Sequence, residues 1–356
     1  MTNTILAINP GSTSTKIAVY ENEKNTFKHT IKHDANLIQS FPNIISQFDF
    51  RKKAILDALN EANISLASLS AVVGRGGMLK PIEGGTYAVN EAMIDYIKKA
   101  TRGEHASNLG CVIAHSIASM YHLPSFIVDP VAVDEMDDIA RYTGMPEIKR
   151  DSLFHALNQK AVALKAAKDL NKAYTDLNLI VAHLGGGISV GVHQKGRVID
   201  VNNALDGDGP MSPERSGSVP LGPLYKMVFS GKYTLEEIKR KNYGNGGLVA
   251  YLGTNDGYEI EQRIKNGDAE AEFIFSVMCY QIAKEIGSCA TVLKGQVDAI
   301  ILTGGLAYDQ LAIKLIKART SFISKILVYP GEDEMEALAL GALRVLRQEE
   351  KVKNYE

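Results

Sequence analysis

Two stretches of this chain share one plan. The first, ILAINPGSTSTKIAVYENEKN, begins at Ile5, and the second, LIVAHLGGGISVGVHQKGRVI, begins at Leu179. Each reads as an apolar strand, a Gly/Ser turn, a second strand and a polar turn. A degenerate repeat of this length constrains the fold more than composition does, because each copy must build its own sheet and core. The chain has 356 residues, which is also too long for one core of about 100–200 residues. We expect a domain boundary near Arg150, with an N-terminal domain over 1–150 and a C-terminal domain over 151–334. The last helix, 335–356, is expected to pack back onto the first domain.

Between the repeats, strand and helix signals alternate. Apolar residues at helical spacing mark Phe50–Asn63 (Ala54, Ile55, Ala58, Leu59, Ala62). Ala71–Val73 reads as a strand ending in Gly74-Arg75-Gly76-Gly77, and Ser125–Val128 as a strand ending at Asp129-Pro130. Helices are expected over Asn90–Ala100, Asn108–Tyr121 and the Ala/Leu/Lys-rich Leu153–Leu170. Near the end, strand Ala299–Leu302 meets the tight turn Thr303-Gly304-Gly305-Leu306, then helix Asp309–Thr320, strand Lys325–Tyr329 and helix Glu336–Arg347. Such βα alternation predicts an α/β fold.

Composition removes several function classes. Lys+Arg is 39 against Asp+Glu 41, which gives no electrostatic reason to expect nucleic acid as a partner. Three cysteines without a CxxC pair exclude a disulfide framework and a zinc ribbon, so Cys111, Cys279 and Cys289 are expected as buried small hydrophobes. The N-terminus has neither a basic segment nor a long apolar one, and no stretch approaches about 20 uncharged apolar residues. Phe273–Leu293 carries Lys284 and Glu285 and reads as a buried helix. These features predict a soluble, cytoplasmic protein with no membrane partner.

The 31 glycines are informative by position. Four Gly-rich turns follow apolar strands, and such turns can surround phosphate oxygens with backbone N–H groups. One alone is commonly structural; four in one chain point to a phosphate-bearing ligand. The chain has no GxxxxGK[ST], no GxGxxG at a strand-to-helix junction, and no HRD…DFG set, which excludes a P-loop enzyme, a dinucleotide fold and a protein kinase. In both repeats the glycines join strand to strand, a different way of holding phosphate. Taken alone, Arg75 and Arg215 in their Gly-flanked loops more often read as surface charge, and His155 on an Ala/Leu helix as a structural histidine. Their guanidinium forks also match carboxylate and phosphate geometry.

With these residues in view, the chain resembles the acetate kinase family of the acetate and sugar kinase/heat-shock chaperone/actin superfamily. Asn9-Pro10-Gly11-Ser12-Thr13-Ser14-Thr15-Lys16 is similar to that family's NAGSSSxK opening. His183-Leu184-Gly185-Gly186-Gly187 resembles its HLGNG, and Ser212-Pro213-Glu214-Arg215-Ser216-Gly217 its later arginine motif. The resemblance runs from Ile5 to about Arg344, and NPGSTSTK, GRGG and PERSG look most like the butyrate kinase branch. It implies two duplicated actin-like (ribonuclease H-like) α/β domains with a central cleft, the first for the acid and the second for the nucleotide. It also implies ATP-dependent phosphorylation of a short-chain carboxylate, Mg²⁺ as a cofactor, and a homodimer or higher assembly.

Site roles follow from the same resemblance. Arg75 is expected at the acid, and Arg215 at the acid or the transferring phosphate. His155 matches a histidine that stabilises the transition state, and Asp129 an aspartate that orients the reacting groups or Mg²⁺. Asn9, Gly11, Ser12, Ser14 and Lys16 are candidates for phosphate or for Mg²⁺-bound water, and Glu334 resembles a glutamate near Mg²⁺. His183, Gly185, Gly186 and Gly187 would shape the phosphate site, and Thr303, Gly304 and Gly305 would sit at the adenosine. His105 is a further candidate histidine. The chain departs from acetate kinases in having Gly186 in place of Asn, and Gly76-Gly77 where they carry bulky residues. We read the second departure as a roomier acyl pocket that favours butyrate, with branched acids, acetate or propionate as alternatives. A nucleotide-driven switch without metabolic activity, or a silent binding protein on the same fold, is the competing class. Intact Arg75, Asp129, His155 and Arg215 argue against a silent protein.

Overall fold

The computed structural model describes residues 2–356. The chain divides into two compact units. One runs to Val133 and takes back Asp333–Glu356; the other is Asp134–Glu332.

The first unit begins with β1 (Thr4–Pro10), β2 (Ser14–Glu21) and β3 (Lys24–Lys32), an antiparallel meander. Helices α1 (Ala35–Ser40) and α2 (Phe48–Glu61) follow, then β4 (Ala71–Gly74), β5 (Thr86–Ala88), α3 (Glu91–Lys99), α4 (Asn108–Ser119) and β6 (Ser125–Val128). β1 and β4 are buried along nearly their whole lengths, as continuous apolar strands covered on both faces should be. Leu6, Ile8, Ile17 and Val19 pack with Ile55 and Leu59 of α2 and with Leu109 and Ile113 of α4.

In the second unit the order is α5 (Asp138–Arg141), α6 (Ala156–Asp169), β7 (Asn178–Leu184), β8 (Ile188–Gln194) and β9 (Arg197–Val201). Four short helices follow, α7 (Leu221–Val228), α8 (Leu235–Asn242), α9 (Gly247–Leu252) and α10 (Gly257–Lys265). Then come the 24-residue α11 (Ala269–Val292), β10 (Ala299–Gly304), α12 (Gln310–Thr320) and β11 (Ile326–Pro330). α11 is the core helix: Ile274, Phe275, Met278, Ile282 and Ile286 pack against Ile180, Ala182, Val190 and Val192 of the sheet. The chain closes with α13 (Glu334–Leu346) and β12 (Lys353–Asn354), both in the first unit. α13 lies on β1, β4 and β6.

The strand orders expose the repeat. The first sheet runs β12-β5-β6-β4-β1-β2-β3 and the second β11-β10-β7-β8-β9. In each, the opening strand pairs antiparallel with the next one and parallel with a later one, β4 beside β1 and β10 beside β7. The two units are therefore one α/β topology used twice.

The division at Val133 falls before the boundary expected at Arg150. The intervening segment is tied to the second unit. Glu135 forms a buried ion pair with Lys160 at 2.9 Å, Asp137 N–H donates to Ile199, and Arg150 pairs with Asp200 at 2.8 Å. Cys111, Cys279 and Cys289 are free and buried. Among the described residues, no helix is long and apolar enough to cross a membrane.

Candidate active site

In the first unit, β1 and β2 meet at the turn Gly11-Ser12-Thr13. Its carbonyls are drawn to one side. Arg51 of α2, wholly buried, donates to the carbonyls of Gly11, Ser12 and Ser14 at 2.8, 2.8 and 3.0 Å, and to Gln47 Oε1 at 2.9 Å. The Thr13 carbonyl accepts from the His33 N–H at 2.9 Å. The N–H groups of Ser12 and Thr13 are left without a partner among the described residues. Both residues line a cleft of ≈ 280 Å³ together with Asn9, Lys16, Arg75 and His105. Unpaired N–H groups on a turn make an anion-receiving nest.

Arg75 follows β4 and enters this cleft. One of its terminal nitrogens donates to Glu334 Oε1, while Asn9 Nδ2 donates to Glu334 Oε2 at 2.5 Å. The Arg75 Nε–H is buried and has no hydrogen-bond partner. Such a group costs free energy unless a ligand completes it. His105 is exposed as a residue, but its ring borders the cleft, with Nδ1 2.8 Å from Ser107 Oγ. Desolvation there, and then the Arg75 charge, hold its imidazole below the ordinary histidine range.

Asp129 and Gly76-Gly77 are packed positions of the first unit. Asp129, buried at the end of β6, does not line the cleft. Its carboxylate accepts the Gly85 N–H at 2.7 Å, and its own N–H donates to the Gly85 carbonyl at 3.1 Å. Its backbone is left-handed, φ +37°, a strained conformation that Asp tolerates better than most residues. Gly76 and Gly77, taken from sequence as open space, are packed positions. A Cβ on Gly76 would strike Pro130, and one on Gly77 would strike Asn108. They let chain segments approach and add no volume to an acyl pocket.

In the second unit, His183 is the penultimate residue of β7, and Gly185-Gly186-Gly187 turn the chain into β8. His183 Nδ1 lies 2.7 Å from Asn158 Oδ1, and Nε2 lies 3.2 Å from Glu332. His155, the N-cap of α6, stacks on the His183 ring with centroids 3.8 Å apart and planes 9° apart. The loop from Ser212 to Gly217 is fastened onto the glycine turn. Ser212 Oγ and Glu214 N–H both donate to the Gly186 carbonyl, at 2.6 and 3.2 Å. The Arg215 guanidinium donates to the Ala204 carbonyl and lies so close beneath Gly187 that any Cβ there would overlap it. Burial lowers the Arg215 pKa against the opposing pull of Glu214.

Beside these glycines is a larger cavity of ≈ 690 Å³, lined by Gly185, Gly186, Glu214, Asn255, Tyr258 and Gly305 among others. Its size suits a ligand larger than the first cleft admits. Thr303 and Gly304 are not among its lining residues. Thr303 Oγ1 donates to the Gly331 carbonyl at 3.2 Å, and Gly304, at φ +89°, packs against the Leu184 backbone. Of that turn, Gly305 and Leu306 reach the cavity. Sequence reading missed the wall from Asn255 to Tyr258. Its signal was the run Gly253-Thr254-Asn255-Asp256-Gly257, an Asx cap in which Asp256 accepts the Tyr258 N–H at 2.9 Å and opens α10.

For Mg²⁺, Asn9 and Glu334 come together in the first unit, and Asp129 lies outside their cleft. Among the described residues, no three His, Cys, Asp or Glu side chains are grouped to hold a metal. One carboxylate and an amide fit an ion carried mainly by phosphate oxygens and water, the usual setting for Mg²⁺.

Comparison with known proteins agrees with this architecture. Porphyromonas gingivalis acetate kinase superposes with a TM-score of 0.80 at 19% identity, covering 97% of this chain and 100% of that one. A propionate kinase from Francisella tularensis gives 0.73 at 20% identity, with 95% and 98% covered. Entamoeba histolytica acetate kinase gives 0.73 at 17% identity, again with 95% and 98% covered. The chain therefore has the two-domain, actin-like α/β fold of these kinases, and its residues 142–318 match the Acetokinase family.

Proposed function

We propose that this protein is a carboxylate kinase that moves the γ-phosphoryl group of ATP to a short-chain acid, butyrate foremost. The observation that carries this reading is the unpaired Arg75 Nε–H beside the free N–H groups of Ser12 and Thr13. These donors suit a small anion, and a cleft of ≈ 280 Å³ has room for a short acid. The larger cavity of the second unit suits a nucleoside. The match to the Acetokinase family over 142–318 supports the reaction class. The preference for butyrate rests on the NPGSTSTK, GRGG and PERSG signatures and not on space at Gly76-Gly77.

In this reading a carboxylate oxygen attacks phosphorus. The new O–P bond forms as the bond from the γ-phosphorus to the ADP oxygen breaks, and the step is reversible. No general base is needed, because the acid is already ionised at neutral pH. The work of the protein is to hold two anions together. Arg75 would orient the acid through its fork, with Glu334 fixing the guanidinium. Arg215 and His155 would meet the phosphoryl oxygens. Mg²⁺ bound with the nucleotide would supply further charge neutralisation, and Asn9 and Glu334 would be the residues to hold its water shell.

The test is ADP release with Mg-ATP across acetate, propionate, butyrate, isobutyrate, valerate and isovalerate, with acyl phosphate trapped as hydroxamate. A kcat/KM maximum at butyrate is expected. A maximum at acetate, propionate or a branched acid would keep the reaction and replace the substrate. Failure to phosphorylate any of the six would overturn the reading.

A further inference from the structure

Behind His155 runs a chain of buried polar groups that the reaction as described leaves unused. His155 Nδ1 lies 2.9 Å from Ser189 Oγ. Gln159 Nε2 lies 2.8 Å from that hydroxyl and 3.1 Å from the Ser189 carbonyl. Gln159 Oε1 lies 2.9 Å from His193 Nε2, and His193 Nδ1 lies 2.7 Å from the Tyr174 hydroxyl. Gln159, Ser189 and His193 are each 0% exposed. Gly191 makes room for the amide, since a Cβ there would strike Gln159 Oε1.

The direction of every link follows from one carbonyl. A carbonyl only accepts, so the amide nitrogen of Gln159 faces Ser189 and its oxygen faces His193. His193 Nε2 therefore donates, and Nδ1 accepts the Tyr174 O–H, which requires a neutral ring. Burial, and then the Lys160 charge, hold His193 well below the ordinary histidine range. Gln159 also donates to Ser189 Oγ. The buried Ser189 proton then needs an acceptor, and His155 Nδ1 is the partner at hand; leaving a buried hydroxyl unpaired is costly. The neutral His155 ring thus keeps its own proton on Nε2.

We propose that Gln159 and Ser189 are positioning residues that fix His155 as the Nε2–H tautomer, so that it meets the phosphoryl group as a neutral hydrogen-bond donor and not as a base. The chain orients the ring and does not conduct protons, because a neutral amide in its middle does not pass a proton along. The role rests on the carboxylate-kinase reading; the tautomer does not.

Long-range ¹⁵N–¹H correlation on histidine-labelled protein reports the tautomer without turnover. His155, assigned by its loss in His155→Asn, is expected to show a protonated Nε2 and a bare Nδ1. Ser189→Ala should relax it to a mixture. In Gln159→Glu the new carboxylate accepts the Ser189 O–H, Ser189 Oγ then accepts from His155 Nδ1–H, and the tautomer inverts. With it kcat should fall about 10²-fold, as on loss of one preorganised donor, with KM for ATP largely kept. A wild-type proton on Nδ1, or the same tautomer in all variants that fold, would overturn the proposal. If Gln159→Glu does not fold, the wild type and Ser189→Ala decide it. The expected tautomers with no phosphoryl transfer to any acid would overturn the functional reading and the role given to His155, while the hydrogen-bond polarity would stand.

Discussion

Arg75 divides its guanidinium between a protein partner and an open position. Glu334 takes one terminal nitrogen, and the buried Nε–H is left for a ligand. Removing the side chain should cost the acid more than the nucleotide. Arg75→Ala is expected to raise KM for the acid about 10–100-fold, the equivalent of one lost hydrogen bond to a charged group at ~1.5–3 kcal/mol. KM for ATP should stay within a few-fold, and steady-state kinetics with each substrate varied would check the split. An equal rise in both constants would remove Arg75 from the acid. At this scale the sequence marked Arg75 and the Gly/Ser turn by their glycine-flanked places at strand ends, and the structure brings both to one cleft. It was not legible at Arg51. In Phe50-Arg51-Lys52-Lys53 that arginine reads as one of a solvated basic run, yet α2 turns it inward to gather three carbonyls of the turn. Nor did sequence show that the carboxylate of Asp129 is held by the Gly85 N–H.

The hairpin turns are the elements on which the candidate site depends, and both are braced from behind. In the second unit the brace is the loop Ser212–Gly217, which reaches the glycine turn through the Gly186 carbonyl and seats Arg215 under Gly187. Gly187 is therefore a packing requirement as well as a turn residue. Gly187→Ala should displace the Arg215 guanidinium and lower kcat by at least about tenfold, while unfolding stability falls by only about 1–3 kcal/mol, as for overpacking elsewhere. Turnover at the wild-type level in Gly187→Ala would show that Arg215 need not be seated there. The strands of both repeats were legible because apolar runs bounded by glycine carry a strong signal, and Ser125–Val128 is found as read. The run α7 to α10 was not. Its helices are of six to nine residues, too short for a periodic pattern to stand out. α8 is marked by a capping box, Thr234 with Glu237, rather than by an apolar face.

Each unit also buries a histidine that folding makes harder to protonate, and this sets how the whole molecule responds to acid. In the first unit, burial and then the Arg51 charge lower the pKa of His33, which lies 2.8 Å from Thr15 Oγ1. In the second, burial and then Lys160 hold His193 well below 6.5. For a histidine lowered on folding, the unfolded chain takes up the proton first. Stability is therefore complete above about pH 6.5 and is lost as the pH falls below that value, by up to ~1.4 kcal/mol per unit for each ring. Glu285 works the other way. Burial, reinforced by Asp208, raises its pKa, so its protonation in mild acid relieves the native state and offsets part of the loss. With His105 of the first unit, also lowered by desolvation and Arg75, three histidines against one carboxyl leave a net fall between pH 7 and pH 5. Denaturant unfolding at both values should show it, and His193→Gln should flatten the slope for the unit that carries it, whatever it does to stability at pH 7. The slope is the discriminating quantity, because loss of the Tyr174 contact lowers stability equally at both pH values. An unchanged slope in His193→Gln would mean that the buried ring titrates alike in the folded and unfolded chain, and the directional hydrogen bonds from Tyr174 to His155 would lose the neutral link they require.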